Sequence, residues 1–232
     1  MIILTESNVF NTDADTIVNT INCVGFMGKG LALEFSLRYP KLLVDYKEKC
    51  SKKEINIGKL YYYKEDNILI INFPTKKDYK FPSKLEWIEK GLLEFVNTYK
   101  KYNIKKVAFP LLGCKNGGLN SNQVIDLIKK HLNNLDIDIY ICLDKKNPEG
   151  KEFEMLNMFK NCDIDTLGNQ VKLTNTQKEN LRNNQKNITR FFQISKIDGI
   201  GFKTYKNIYD IFYNNKYNNN NKYNNIDQLS LF

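Results

Sequence analysis

Histidine is almost missing from this chain, and its scarcity excludes more chemistry than any residue that is present. His131 is the single example in 232 residues. Serine–histidine–aspartate triads, cysteine–histidine pairs and histidine-ligated metals are therefore nearly ruled out. His131 itself sits on an amphipathic helical pattern, where it reads as a surface or packing residue. Cysteine is sparse and unpaired in pattern: positions 23, 50, 114, 142 and 162 are odd in number, widely spaced and free of any CxxC. That usage predicts reduced thiols and argues against a structural zinc site. No apolar run approaches the ~18 residues of a membrane span. The first ten residues, MIILTESNVF, show neither the basic nor the apolar region of a signal peptide. These absences predict an intracellular protein, cytoplasmic or nuclear, with no metal, no cofactor and no membrane contact.

What remains is ample for a core. Hydrophobic residues make up 42% of the chain, and a unit of ~150 residues buries roughly 70% of its unfolded surface without staples. The net charge of +9 is uneven: residues 1–163 carry 25 Lys and Arg against 21 Asp and Glu, whereas 164–232 carry 10 against 5. A basic tail fits an anionic partner such as nucleic acid, or equally a solvated lysine-rich surface.

From Met1 to about Cys162, strand and helix patterns alternate. IIL (2–4), DTIVNTIN (15–22), KLYYYK (59–64), NILIINF (67–73), KKVAFPLL (105–112) and IDIYICL (137–143) read as strands, the third and fourth as a hairpin turning at Glu65-Asp66. KGLALEFSLRY (29–39), the stretch opened by Pro40, and SNQVIDLIKKHL (121–132) read as helices. Ser83 and Glu86 have the spacing of a capping box before a further amphipathic helix. The fold class expected is α/β, a mixed sheet between helices, with ligands at the loops beyond the strands' carboxyl ends. The composition changes after Cys162, so the expected domains are 1–163 and a mostly helical, partly disordered tail, 164–232. Within the tail, the Asn-rich run 214–225 is expected to be disordered.

Three loops carry the chemistry. Asn22-Cys23-Val24-Gly25-Phe26-Met27-Gly28-Lys29-Gly30 runs straight into a helix, as does Leu112-Gly113-Cys114-Lys115-Asn116-Gly117-Gly118-Leu119. Two glycine loops on one sheet suit a diphosphate, because each offers N–H donors without side-chain bulk. Phe73-Pro74-Thr75-Lys76-Lys77 lies between them. With no histidine, and no carboxylate in any of the three, a lysine amine is the available nucleophile or cation; a neighbouring ammonium (Lys77) and partial desolvation are expected to lower the pKa of Lys76.

VNTINCVGFMGKGLALEF, INFPTKKDYKFPSKLEWIEKGL and FPLLGCKNGGLN, in this order and spacing, resemble a macrodomain, and within that family the DarG-type antitoxin branch of DNA ADP-ribosylglycohydrolases. The resemblance covers about residues 1–145. It implies an ADP-ribose cleft with Asn22 at the distal ribose, and with Val24, Gly25, Met27, Gly28, Lys29 and Gly30 around ribose and diphosphate. Leu112, Gly113, Cys114, Asn116, Gly117, Gly118 and Leu119 are then expected to close the other side. It makes Lys76 the catalytic residue, with Thr75 beside it, acting as a nucleophile at C1″ or as an electrostatic stabiliser of the departing group. Many macrodomains bind adenine with an Asp after the first strand; here the stretch reads Ser7-Asn8-Val9-Phe10, leaving Asn8 as the candidate. A related branch acting on protein-linked ADP-ribose uses an Asp where this chain has Gly117. A non-catalytic ADP-ribose reader and a hydrolase of protein-linked ADP-ribose remain the alternatives. ADP-ribose, ADP-ribosylated DNA and a DNA ADP-ribosyltransferase are the implied partners, and Cys23 and Cys114 read as small packing residues.

The tail has three motifs of its own. Gln185, Ile188, Phe191 and Phe192 fit a sliding-clamp-binding peptide, or else a helix packing its apolar face on its own domain. Residues 195–213 resemble a helix-hairpin-helix: Gly199-Ile200-Gly201 is to expose N–H groups to a DNA phosphate, with Lys203 and Lys206 neutralising its neighbours. The terminal QLSLF (228–232) matches a bacterial clamp-binding pentapeptide.

Overall fold

In the computed structural model, residues 1–217 are described, and they divide into two compact units, Met1–Lys146 and the chain from Asn147 onward. The division falls earlier than the expected boundary at 163. The reason is α5 (Gly150–Asn161): its Phe159 belongs to the aromatic core of the second unit, with Phe191 and Phe212 about it at centroid distances of 6.3 and 6.0 Å.

The first unit is built on a six-stranded sheet. The strands are β1 (Ile2–Thr5), β2 (Thr16–Asn22), β3 (Tyr61–Glu65), β4 (Ile68–Lys76), β5 (Lys106–Pro110) and β6 (Asp138–Cys142), in the order β1-β6-β5-β2-β4-β3. All neighbours are parallel except β3, which pairs antiparallel with β4 at the edge. The hairpin turns at Asp66-Asn67, one residue later than expected, because Glu65 still pairs with Ile68 and Asp66 takes the positive φ of 50°. The continuous apolar runs of β2 and β4 match their burial on both faces. On one face α3 (Leu85–Thr98) and α4 (Ser121–Leu132) pack Ile88, Leu92, Phe95 and Ile128 against Val18, Ile71, Phe73 and Phe109. On the other, α1 (Gly30–Arg38) and α2 (Pro40–Ser51) pack Phe35 and Leu42 against Ile17, Ile70 and Ala108. His131, on α4, meets Glu89 of α3 at 2.9 Å.

The expected capping box is not formed. The cap of α3 is Lys84, without a side-chain hydrogen bond, and the Ser83 side chain is buried elsewhere.

The second unit is helical: α5, α6 (Ile164–Val171), α7 (Asn175–Gln185), a 3-10 turn (Phe191–Lys196) and α8 (Phe202–Tyr213). Local signals set its boundaries. Asp163 caps α6 by accepting from Thr166 N at 2.7 Å, and Thr174 with Gln177 forms a capping box on α7. The clamp-peptide reading is overturned for the described residues. The Gln185 amide donates to the carbonyls of Phe159 and Cys162, while Ile188 and Phe191 are 4% and 2% exposed. Phe191 is ringed by Phe159, Tyr205, Tyr209 and Phe212. An apolar plug that closes its own core cannot also fill a partner's groove; Phe192 alone of the set is exposed.

The segment around Gly199 partly matches a hairpin motif. A 3-10 turn stands where a first helix was expected, Gly199 has φ of 75°, and Gly201 caps α8. Lys203 and Lys206 are exposed. The Asn-rich run begins ordered: Tyr217 stacks on Phe212 and its hydroxyl accepts from Asp163 N at 2.8 Å. Residues 218–225 and the QLSLF peptide lie outside the described residues. Among the described residues no helix is long and apolar enough to cross a membrane.

Candidate active site

Because β2, β4 and β5 are parallel neighbours, their carboxyl ends fall at one edge of the sheet, and the loops 23–29, 77–84 and 111–120 converge there. They are tied together by backbone. Cys23 N donates to the carbonyls of Lys76 and Lys77 at 3.1 and 3.2 Å, and Ser83 N donates to Gly117 O at 2.9 Å.

Asn22 organises the first loop from within. Its amide donates to Phe26 O at 2.6 Å, and its side-chain oxygen accepts from Val24 N and Phe26 N at 3.0 and 3.3 Å. The Tyr46 hydroxyl of α2 donates to Asn22 O at 2.7 Å and reaches its side-chain oxygen at 3.1 Å. Asn22 is buried, so here it positions the loop instead of lying open to a ribose. Met27 is also buried, against Ile21, Tyr46 and Ile55. The exposed part of this loop is Val24, Phe26, Lys29 and Gly30, with Gly25 and Gly28 half-buried.

Lys76 ends β4. The strand runs on through Phe73–Lys76, which the sequence placed in a loop, and a bulge opens opposite it: Ile21 pairs with Pro74, but Asn22 pairs with Lys76. The residue passed over, Thr75, is buried and donates its hydroxyl to Ile21 O at 3.4 Å. The Lys76 ammonium is half-buried and donates to the backbone carbonyls of Asn116 and, at 3.4 Å, Tyr79. Burial alone pulls its pKa below the ordinary lysine value of 10.5. Lys77 is not the cause expected for that shift, since its own ammonium is turned to the Trp87 ring, 5.8 Å from the centroid.

The third loop closes on itself. Gly118 N and Leu119 N donate to Cys114 O and Gly113 O at 3.0 and 3.1 Å. A Cβ on Gly117 would stand 2.1 Å from Gly113 O and 2.3 Å from Ser83 Oγ, so no side chain fits there and no carboxylate can occupy the position. The same packing leaves the Ser83 hydroxyl buried without a hydrogen-bond partner. Leu112 is fully buried and Leu119 partly, both in the α3–α4 core. Asn116 is exposed, and its amide lies close enough to Gly30 that an added Cβ would be 2.7 Å away, so the first and third loops meet above Lys76.

The remaining expected residues are dispersed or packed. The Asn8 side chain accepts from Phe10 N at 2.9 Å, capping a short 3-10 turn. Burial raises the Cys23 thiol to about 11 and also raises Cys114, so both are protonated thiols at neutral pH. Among the described residues no three His, Cys, Asp or Glu side chains are gathered to hold a metal. Sequence reasoning missed Ser83, Phe26 and Tyr79. The Phe26 and Tyr79 rings lie 4.5 Å apart, and the Tyr79 carbonyl accepts from the Lys76 ammonium.

A profile of the Macro domain family matches residues 18–128. The solved macrodomain of Mycobacterium tuberculosis DarG is 39% identical; the match covers 61% of this chain and 97% of that one, with a TM-score of 0.59. The curated DNA ADP-ribosyl glycohydrolase of that species is 41% identical over 128 residues, 53% of this chain and 36% of its own length. A DNA ADP-ribosyl transferase–DNA ADP-ribosyl glycohydrolase fusion protein from Thermosipho africanus is 35% identical over 167 residues, 63% of this chain and 43% of its own length. The solved structure of Thermosipho africanus DarTG in complex with ADP-ribose superposes with a TM-score of 0.58 at 36% identity, covering 63% of this chain and 43% of that one. The matched stretch thus spans about two fifths of the length of these curated relatives.

Proposed function

The chain belongs to the macrodomain family, and from that footing we propose that it binds ADP-ribose and hydrolyses it from ADP-ribosylated DNA, reversing the work of a DNA ADP-ribosyltransferase. The observation that carries the reading is Lys76, held half-buried where the three loops converge, with its pKa lowered by burial. A lowered pKa leaves more free amine at neutral pH than an exposed lysine has. In the hydrolysis the bond between C1″ and the base nitrogen breaks, water supplies the oxygen that ends on C1″, and a proton goes to the base. Lys76 acts at C1″, as the attacking amine once the ribose ring opens or as the ammonium that steadies the departing group. The N–H groups of the first and third loops take the diphosphate, and neither loop has a carboxylate to repel it.

Gly117 weighs against protein-linked ADP-ribose as substrate, since the space an Asp needs there is filled by Gly113 O and Ser83 Oγ. A reader with no activity requires no half-buried lysine at the cleft. We further propose that Lys203 and Lys206, exposed on α8 after the Gly199-Ile200-Gly201 turn, tether the chain to DNA without sequence preference.

The test is incubation of the full chain with thymidine-ADP-ribosylated oligonucleotide and, separately, with ADP-ribosylated protein. Release of ADP-ribose from the oligonucleotide is expected. Release from protein alone overturns the DNA reading, and release from neither overturns the enzyme.

A further inference from the structure

Four aromatic side chains are exposed among the described residues of the first unit, and three of them belong to two loops at the same edge of the sheet. Phe26 (46% exposed), Tyr79 (44%) and Phe81 (63%) all belong to the two loops that flank Lys76; Tyr102 lies elsewhere. The Phe26 and Tyr79 rings are tilted by 40° at 4.5 Å. Phe26 covers Gly28 so closely that a Cβ there would meet its ring at 2.2 Å, which keeps the ring at the surface. Tyr79 is joined to the reaction centre directly, because its carbonyl accepts from the Lys76 ammonium at 3.4 Å.

The charge around these rings is predominantly positive. Lys77, Lys80 and Lys84 are exposed in the same loop, where Asp78 is the lone acid; its carboxylate is engaged by Lys80 N at 2.9 Å. Lys80 stands 5.8 Å from the Tyr79 ring, and Lys77 and Lys84 stand 5.8 and 5.4 Å from Trp87. Exposed rings interleaved with lysines are the combination that binds an unpaired nucleic-acid strand: rings stack on bases while ammonium groups follow the phosphates. A duplex offers its phosphates but keeps its base faces stacked, so it uses only half of this surface.

We propose that Phe26, Tyr79 and Phe81, with Lys77, Lys80 and Lys84, form the contact surface for the single strand of DNA that flanks the modified base. The inference rests on the functional reading above and deepens it: ADP-ribose fills the cleft between the loops, and the strand that carries it lies across this rim. The basic tail is then an auxiliary tether, while substrate choice is made at the catalytic edge.

The test uses the full chain, wild type and two variants, Phe81→Ala and Lys80→Glu with Lys84→Glu. Fluorescence anisotropy on an unmodified single-stranded oligonucleotide reads the surface independently of any turnover. The aromatic variant should bind about tenfold or more weakly, as expected for lost base–aromatic stacking. The charge variant should bind weakly with a shallower salt dependence. ADP-ribose affinity by calorimetry should stay at the wild-type value in both. On ADP-ribosylated oligonucleotides of increasing length, KM should fall with length for wild type and lose that dependence in the aromatic variant. Wild-type single-strand affinity in both variants overturns this surface. A wild-type enzyme that binds the strand but releases no ADP-ribose from it overturns the functional reading instead, with the surface intact.

Discussion

The ammonium of Lys76 is bonded to the backbone carbonyl of Asn116, forty positions later in the chain. The third loop is therefore held down by the same amine to which the proposed reaction assigns the catalytic role. A ligand that draws Lys76 from that carbonyl would release the third loop from it.

Lys76→Ala should abolish turnover while ADP-ribose affinity changes by less than about tenfold, or ~1.4 kcal/mol. A group that acts on the transition state affects rate far more than ground-state binding. Single-turnover assays beside calorimetry separate the two. Undiminished turnover would move the catalytic role to another group.

With Lys76 attacking as the free amine, turnover should rise with pH along a limb whose midpoint lies below 10.5, since burial lowers its pKa, whereas its role as the ammonium gives a limb that falls with pH instead. The sign follows from desolvation. The fold disfavours the ammonium, so the free amine grows in on the acid side of an ordinary lysine, and any stability cost of Lys76 is relieved as pH rises. Rate–pH profiles of wild type and Lys76→Arg check this; the limb should vanish in the arginine variant.

Gly117→Ala should damage the third loop, because its Cβ would overlap Gly113 O and Ser83 Oγ. Overpacking of this kind costs about 1–3 kcal/mol. Thermal melting should show the loss, and ADP-ribose binding should weaken with it. Gly118→Ala, with nothing within 4 Å of the added Cβ, meets no such obstruction and reports only the strain of its φ of 78°.

Phe191→Ala should destabilise the second unit by about 3–5 kcal/mol, as for a large aromatic removed from a packed core. Glu152→Ala should act in the same direction. Its carboxylate, 8% exposed, accepts from Arg190 Nε and Phe191 N at 2.9 and 3.0 Å, and the substitution removes both bonds. Unchanged melting in Phe191→Ala would restore the clamp-peptide reading.

Lys203→Glu with Lys206→Glu should remove most of the full chain's retardation of duplex DNA at low salt. Gel shifts of this variant, beside the rim variant Lys80→Glu with Lys84→Glu, apportion duplex binding between tail and rim. Undiminished retardation in the tail variant would end the tether proposal.

The sheet was legible in the sequence because its strands are short β-branched runs between helices of clear period, and the three loops could be placed for the same reason. What could not be read was which side chains in those loops face inward. Asn22 and Met27 have the motif positions of ligand groups, yet packing on Tyr46 commits both to the interior. Ser83 has cap spacing to Glu86, but the cavity between Gly113 and Gly117 claims its side chain. The segment 185–192 carries a peptide motif with no local sign that Phe159 and Phe212, distant along the chain, would enclose Phe191. Each miss comes from tertiary burial overriding a local pattern.

The bulge at Thr75 makes the position of the amine a matter of counting. One supernumerary residue on β4 changes the phase of the pleat for everything beyond it, and a strand displaced by a single residue exchanges its two faces. Pairing Thr75 plainly with Asn22 would carry Lys76 one position further along β4 and so onto the other face of the sheet. The chemistry of this edge thus depends on the parity of a strand as much as on the identity of the residue at its end.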